Sequence, residues 1–131
     1  VGSAIANDGV EMKPYLVDGV YNANGQRSFT AQPEKLRTSI SADTAKRVRE
    51  ILKGVVKQGT GTAAQINGVE VAGKTGTAEK ANNNDSWFVG MAPADNAGVV
   101  VAVVIEDGDE GVGTQKAHDI LQTALEVQGL L

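Results

Sequence analysis

Apolar residues recur at three- and four-residue spacing in Ala45, Val48, Leu52, Val55 and Val56, the pattern of an amphipathic helix. Ser41 or Asp43 is placed to cap its start, and Gly59 to end it. Lys53 and Lys57 fall in its last turns, where they complement the helix dipole. A second stripe, Ala117, Ile120, Leu121, Ala124 and Leu125, predicts a closing helix. Between the two lie strand-like runs at 69–77, 86–91 and 99–105. The last is apolar at every position, so cover on both of its faces is expected. The connections, 78–85 and 92–98, are too short for a parallel crossover, which predicts an antiparallel meander.

The first forty residues are less regular. Residues 1–7 read as the tail of a helix, and Gly9 is suited to closing it with a positive φ. Pro14 opens an extended run at 15–21. Asn24-Gly25 is the strongest hairpin dipeptide in the chain. Residues 26–40 are polar and predict irregular structure. The order is helix end, hairpin, helix, three-stranded meander, helix. It predicts an α/β fold of the α+β type: an antiparallel sheet flanked by helices on both faces, with one layer supplied here.

Composition narrows the possible roles. The 131 residues are 41% apolar and 21% charged, ordinary for a globular domain. A net charge of −4 argues against nucleic-acid binding through a general basic surface. Cysteine is absent, so disulfides, thiol nucleophiles and thiolate metal sites are excluded. No apolar run approaches the ~18 residues of a membrane span. The opening in mid-helix, without Met, suggests a piece of a longer protein.

The candidate chemistry sits at Lys74-Thr75-Gly76-Thr77, at the end of an apolar strand. Alternation puts Lys74 and Gly76 on one side and Thr75 and Thr77 on the other. At a sheet edge, such a strand offers backbone groups to an extended peptide. Gly76 leaves room for close approach. Lys74 supplies a charge-assisted bond to an anion, and the threonine hydroxyls add donors. The set fits recognition of a peptide carboxylate. The same triplet also occurs on plain surface strands, so its setting matters.

That setting is Val71-Ala72-Gly73-Lys74-Thr75-Gly76-Thr77-Ala78-Glu79, followed by Asp85-Ser86-Trp87-Phe88-Val89-Gly90-Met91-Ala92-Pro93. A helix ending in Gly59-Thr60-Gly61-Thr62 precedes it. Together these resemble the transpeptidase domain of penicillin-binding proteins, with Glu79 and Ala92-Pro93 closest to the class B, monofunctional members. The resemblance runs over nearly the whole chain and is most specific from Val55 to Pro93. It implies that Lys74 helps bind the substrate or β-lactam carboxylate and supports a nearby serine and lysine. It implies that Thr75 and Thr77 contact that carboxylate, and that the Thr77 N–H is one of two oxyanion-hole donors. Such a donor is worth roughly 3 kcal/mol.

The family's Ser-x-x-Lys and Ser-x-Asn motifs are absent from this sequence. Thr77-Ala78-Glu79-Lys80 lies inside the third motif and is no substitute. The expectation is that residues 1–131 are the C-terminal part of a single transpeptidase domain, inert alone, whose nucleophile lies upstream. The implied ligands are D-Ala-D-Ala stem peptides and β-lactams, without cofactor or metal. The implied partners are the upstream fragment of the same protein and membrane proteins of cell division or elongation. The implied site of action is the extracytoplasmic face of the bacterial membrane. A serine β-lactamase, a non-catalytic β-lactam sensor and a peptide-binding module are the alternatives.

Other positions carry weaker signals. Trp87 and Phe88 should face opposite sides of a strand, with at least one in the core. His118 is read as structural or exposed, having no second ligand at suitable spacing. Glu106-Asp107-Gly108-Asp109-Glu110 fails the glycine and glutamate positions of a calcium loop and is read as a solvated turn. The polar residues 80–85 either line the cleft or form an exposed loop.

Overall fold

The computed structural model describes residues 1–131. Helix α1 spans Gly2–Ala6, and the short strands β1 to β4 span Val10–Met12, Gly19–Tyr21, Arg27–Thr30 and Lys35–Thr38. Helix α2 covers Ala42–Gln58, and a 3-10 turn covers Thr62–Ala64. Strands β5 (Ala72–Glu79), β6 (Asn84–Ala92) and β7 (Val99–Ile105) follow, and α3 (Val112–Val127) closes the chain.

The α2 start is set by Ser41, whose Oγ accepts from the Thr44 N–H at 3.1 Å. Asp43 sits in the first turn instead, where its charge favours the positive end of the dipole. Alanine at 45 and valine at 56 are buried, as the apolar stripe requires. So is Arg49, which that stripe did not include. Its guanidinium donates to the Ile5 carbonyl at 2.6 Å and to Asp8 at 2.7 Å. It thereby ties the end of α1 to α2.

Strands β5, β6 and β7 form one antiparallel sheet in that order. Strand β5 begins at Ala72, later than its apolar run. Val69 pairs locally with Ile66, and the Glu70 carbonyl accepts from the Ala94 N–H at 2.8 Å. On one face, Phe88, Ala92 and Val103 pack against Ala117, Leu121 and Leu125 of α3. Ile120, expected in that stripe, is 48% exposed and points away.

Phe88 is fully buried, and its ring needs space that two glycines provide. Gly73 and Gly90 stand opposite each other on β5 and β6. A Cβ on Gly73 would lie 2.3 Å from the ring, and one on Gly90 would lie 2.5 Å from it. Alternation then sends Trp87 to the other face, where it is 42% exposed.

That other face is only partly covered. Ala72, Met91 and Val100 pack with Ile5, Ala6 and Leu52 of α1 and α2. Beyond them Val104 is 42% exposed. The expected cover on both faces of β7 is therefore not complete within these residues.

Residues 26–40 are also more ordered than expected. β3 pairs with β2 across the Asn24-Gly25 turn, and β4 returns to pair with β1. Gly25 has φ +76°, and Asn22 Oδ1 accepts from the N–H groups of Asn24 and Gln26. Every residue of β3 and β4 is exposed. Without a buried face there is no period-two apolar pattern to betray a strand.

Filling the glycine floor should distort the sheet. Gly73→Ala in the full-length protein is expected to lower stability by about 1–3 kcal/mol, the usual range for overpacking. Urea unfolding of the variant beside Gly54→Ala, at a helix position with open space for a Cβ, checks this.

Candidate active site

The Lys74–Thr77 segment lies on β5, at an edge of the sheet. Its inner side pairs with β6: Lys74 faces Val89, Thr75 faces Phe88, Gly76 faces Trp87 and Thr77 faces Ser86. Alternate backbone groups on its outer side have no strand partner within the sheet. The predicted alternation is present. Thr75 and Thr77 share the side of Phe88 and Ser86, the α3 side, where Ser86 Oγ accepts from the Gly113 N–H of α3 at 3.0 Å. Lys74 and Gly76 share the side of Trp87, Val89 and Val104.

On that second side lies an open apolar trough of about 440 Å³. Leu52, Val89, Met91, Val100 and Ala102 line it, and Lys74 stands at its border. The Lys74 ammonium is exposed and donates to the Thr75 carbonyl at 2.9 Å. Gly76 has a packing reason beyond ligand access. A Cβ there would come within 3.2 Å of the Trp87 Cβ, which cannot swing aside.

Three sets of contacts near the site go beyond what the sequence predicts. The first is a hydroxyl pair, Thr60 Oγ1 to Thr75 Oγ1 at 2.7 Å, joining the loop after α2 to β5. The second is an ion cluster on Lys53. Its ammonium reaches Asp95 at 2.7 Å, Glu50 at 3.0 Å and Glu70 at 3.4 Å. This fastens α2 to the residues before β5 and after β6. The third is the hairpin after the site. Its loop is only 80–83, closed by Lys80 N–H to Asn83 carbonyl at 2.9 Å. Lys80 then pairs with Asp85 at 2.5 Å and Asp107 at 3.1 Å. The bonds from Thr60 to Thr75, Lys53 to Asp95 and Lys80 to Asp107 span 15, 42 and 27 residues, so no local spacing announces them.

The electrostatics follow from these pairs. The bond from Lys80 holds the Asp85 carboxyl below the usual carboxylate range, and the Asp107 N–H adds to it. Bonds to Asp85 and then Asp107 push the Lys80 ammonium up. Lys53 likewise lowers Asp95, while Asp95 raises Lys53 against the opposing effect of burial. The turn at 106–110 places Asp107 in the left-handed region, with φ +51°. His118 is half-buried on α3, and its Nδ1 has no hydrogen-bond partner.

A meander covered on one face by α3 thus carries Lys74-Thr75-Gly76-Thr77 on its edge strand, beside an open apolar trough. Residues 2–126 match the family model described as the penicillin binding protein transpeptidase domain, and the chain belongs to that family. It is 35% identical over 115 residues to the peptidoglycan D,D-transpeptidase PbpA of Mycolicibacterium smegmatis, covering 84% of this chain and 23% of that protein. It is 35% identical over 113 residues to the stage V sporulation protein D of Bacillus subtilis, covering 80% and 18%.

Among solved structures, the D,D-transpeptidase domain of a peptidoglycan glycosyltransferase from Eggerthella lenta superposes with TM-score 0.96 at 71% identity. The match covers 99% of this chain and 31% of that one. An imipenem acyl-enzyme of penicillin-binding protein A from M. tuberculosis superposes with TM-score 0.86 at 31% identity, covering 95% and 29%. The chain thus spans less than a third of either of these solved chains. The expected family and fold are both borne out.

The Lys53 cluster predicts an acid-sensitive tie beside the site. Asp95 has a lowered folded-state pKa, so its contribution is present above the ordinary carboxylate pKa and is lost as pH falls through the folded value. Lys53→Met in the full-length protein should lower stability at neutral pH and flatten the fall in stability below about pH 4. Urea midpoints across that acid range check both signs.

Proposed function

We propose that this chain is the C-terminal portion of a class B-like peptidoglycan D,D-transpeptidase, and that it builds one wall of the active site. The observation that carries the reading is the Lys74–Thr77 edge strand standing beside an uncovered apolar face. A segment from outside these residues, bearing the nucleophilic serine, would lie over Val89, Val100 and Ala102 and bring that serine close to Lys74. Cover from elsewhere is supported by the exposure of Trp87 and Val104, both on this face.

In this reading an extended stem peptide lies along the outer edge of β5. Lys74 and the Thr75 and Thr77 hydroxyls hold its terminal carboxylate, while Gly76 keeps the approach clear. The serine hydroxyl attacks the penultimate D-Ala carbonyl and loses its proton to a neighbouring base. The Thr77 N–H donates to the oxyanion that forms, where a fixed dipole lowers the barrier most. The carbon–nitrogen bond breaks, the leaving D-Ala amine takes up a proton, and an acyl-enzyme remains. An amine on a second stem peptide then attacks the ester, forms the cross-link and returns the serine. Two moderate acyl transfers replace one difficult one. A β-lactam would acylate the same serine and stay attached. A cell-wall substrate would put the domain on the extracytoplasmic face of the membrane. No helix of this chain is long and apolar enough to cross a membrane.

Fluorescent penicillin tests the reading. Residues 1–131 alone should remain unlabelled, and the full-length protein should be labelled at a serine outside them. Its intact mass should show a long-lived adduct. Rapid return to the free mass would make it a β-lactamase instead. Lys74→Ala in the full-length protein should slow acylation about tenfold to a hundredfold, the range for losing a charge-assisted hydrogen bond.

A further inference from the structure

We infer that Thr60 is a positioning residue for the carboxylate clamp, acting through the Thr75 hydroxyl. The inference rests on the reading of Thr75 as a carboxylate contact. It concerns which way the hydroxyl proton of Thr75 points.

Thr60 is firmly mounted. It sits between Gly59 and Gly61, whose N–H groups both donate to the Val55 carbonyl, at 3.1 and 3.0 Å. Side chains at the flanking positions would crowd this fold-back. A Cβ on Gly59 would lie 2.9 Å from the Val55 carbonyl oxygen, and one on Gly61 would lie 3.3 Å from it. The last turn of α2 therefore grips the loop from both sides of Thr60. From there Thr60 Oγ1 reaches Thr75 Oγ1 at 2.7 Å, a short hydroxyl–hydroxyl bond.

A threonine hydroxyl has one proton and two lone pairs. The Lys74 ammonium, a donor only, lies 3.4 Å from Thr75 Oγ1. If Thr60 also donates, both lone pairs of Thr75 are engaged. Its single proton must then point outward, to an acceptor at the strand edge. If Thr75 donated to Thr60 instead, it would have nothing to offer a carboxylate. A bound anion selects the first arrangement, because donation in series from Thr60 to Thr75 to the carboxylate polarises each bond in the same sense. Thr60 thus sets the polarity of the clamp without touching the ligand.

The full-length protein tests this with β-lactam acylation kinetics. Thr60→Val keeps the shape and removes the donor. It should weaken the concentration dependence of acylation about three- to tenfold, the range for one hydrogen bond, and leave the rate at saturation within about twofold. Thr60→Ser should restore the wild-type value. The Thr60→Val effect should vanish in a Thr75→Val background, and with a β-lactam whose carboxylate is esterified. An unchanged Thr60→Val protein, a loss that persists beside Thr75→Val or with the ester, or a failed serine rescue would overturn the role of Thr60 alone. A wild-type protein that β-lactams never acylate would overturn the transpeptidase reading, and this inference with it.

Discussion

The ring of Phe88 needs more room than an ordinary antiparallel pair leaves on one face, and Gly73 and Gly90 supply it from facing positions on β5 and β6. Register in a sheet with a buried face is strongly specified, because a slip of one residue turns every side chain over. Here the penalty is sharper than lost burial alone. A slipped β6 would bring a side chain against the Phe88 ring where it now meets none. The aromatic residue and its two glycines act together as a register lock.

The polarity of the Lys74–Thr77 strand follows from that lock. With Gly73 beneath Phe88, Lys74 must face the trough, Thr75 the α3 side, and Gly76 the Cβ of Trp87. The motif could not shift along β5 without exchanging its cation for its hydroxyls. The helices then fix where the strand can be reached. α2 packs beside β5 and delivers the Thr60 loop to Thr75, while the Lys53 cluster holds the chain entering β5 and leaving β6. The ion pairs of Lys80 lie at the surface, with Asp85 half-buried, and surface pairs are individually weak. Their contribution is to geometry, since they join the hairpin loop, β6 and the turn before α3 at one ammonium.

The elements legible in the sequence were those with a buried face. The stripes of α2 and α3 and the apolar runs of β5 to β7 announce themselves, because burial imposes period on sequence. The same logic explains the failures. β3 pairs with β2 and β4 with β1, and every residue of β3 and β4 is exposed, so they are free of pattern. Arg49 is buried yet charged, and its reason lies in α1, more than forty residues earlier. As a candidate site, Lys74 to Thr77 stand out because a cation, two hydroxyls and a glycine crowd four positions. Thr60 was visible only as part of a motif. Its contact with Thr75 crosses 15 residues and depends on how α2 ends.

The sheet is unfinished in two ways, and they ask for different occupants. The outer edge of β5 offers backbone groups with no strand partner, a liability that proteins blunt with charge or cover. Lys74 supplies the charge, and neither threonine closes the edge. A partner there would bond through its backbone and could leave again, as a substrate must. The trough side asks for something permanent. Exposed apolar surface on a sheet face is stabilised by burial, with no directional bonds to make or break. A reversible edge beside a face that demands lasting cover suits an active site shared between two parts of one domain. In the proposed reading the lasting contact would fix the geometry, and the edge would stay free to exchange its ligand.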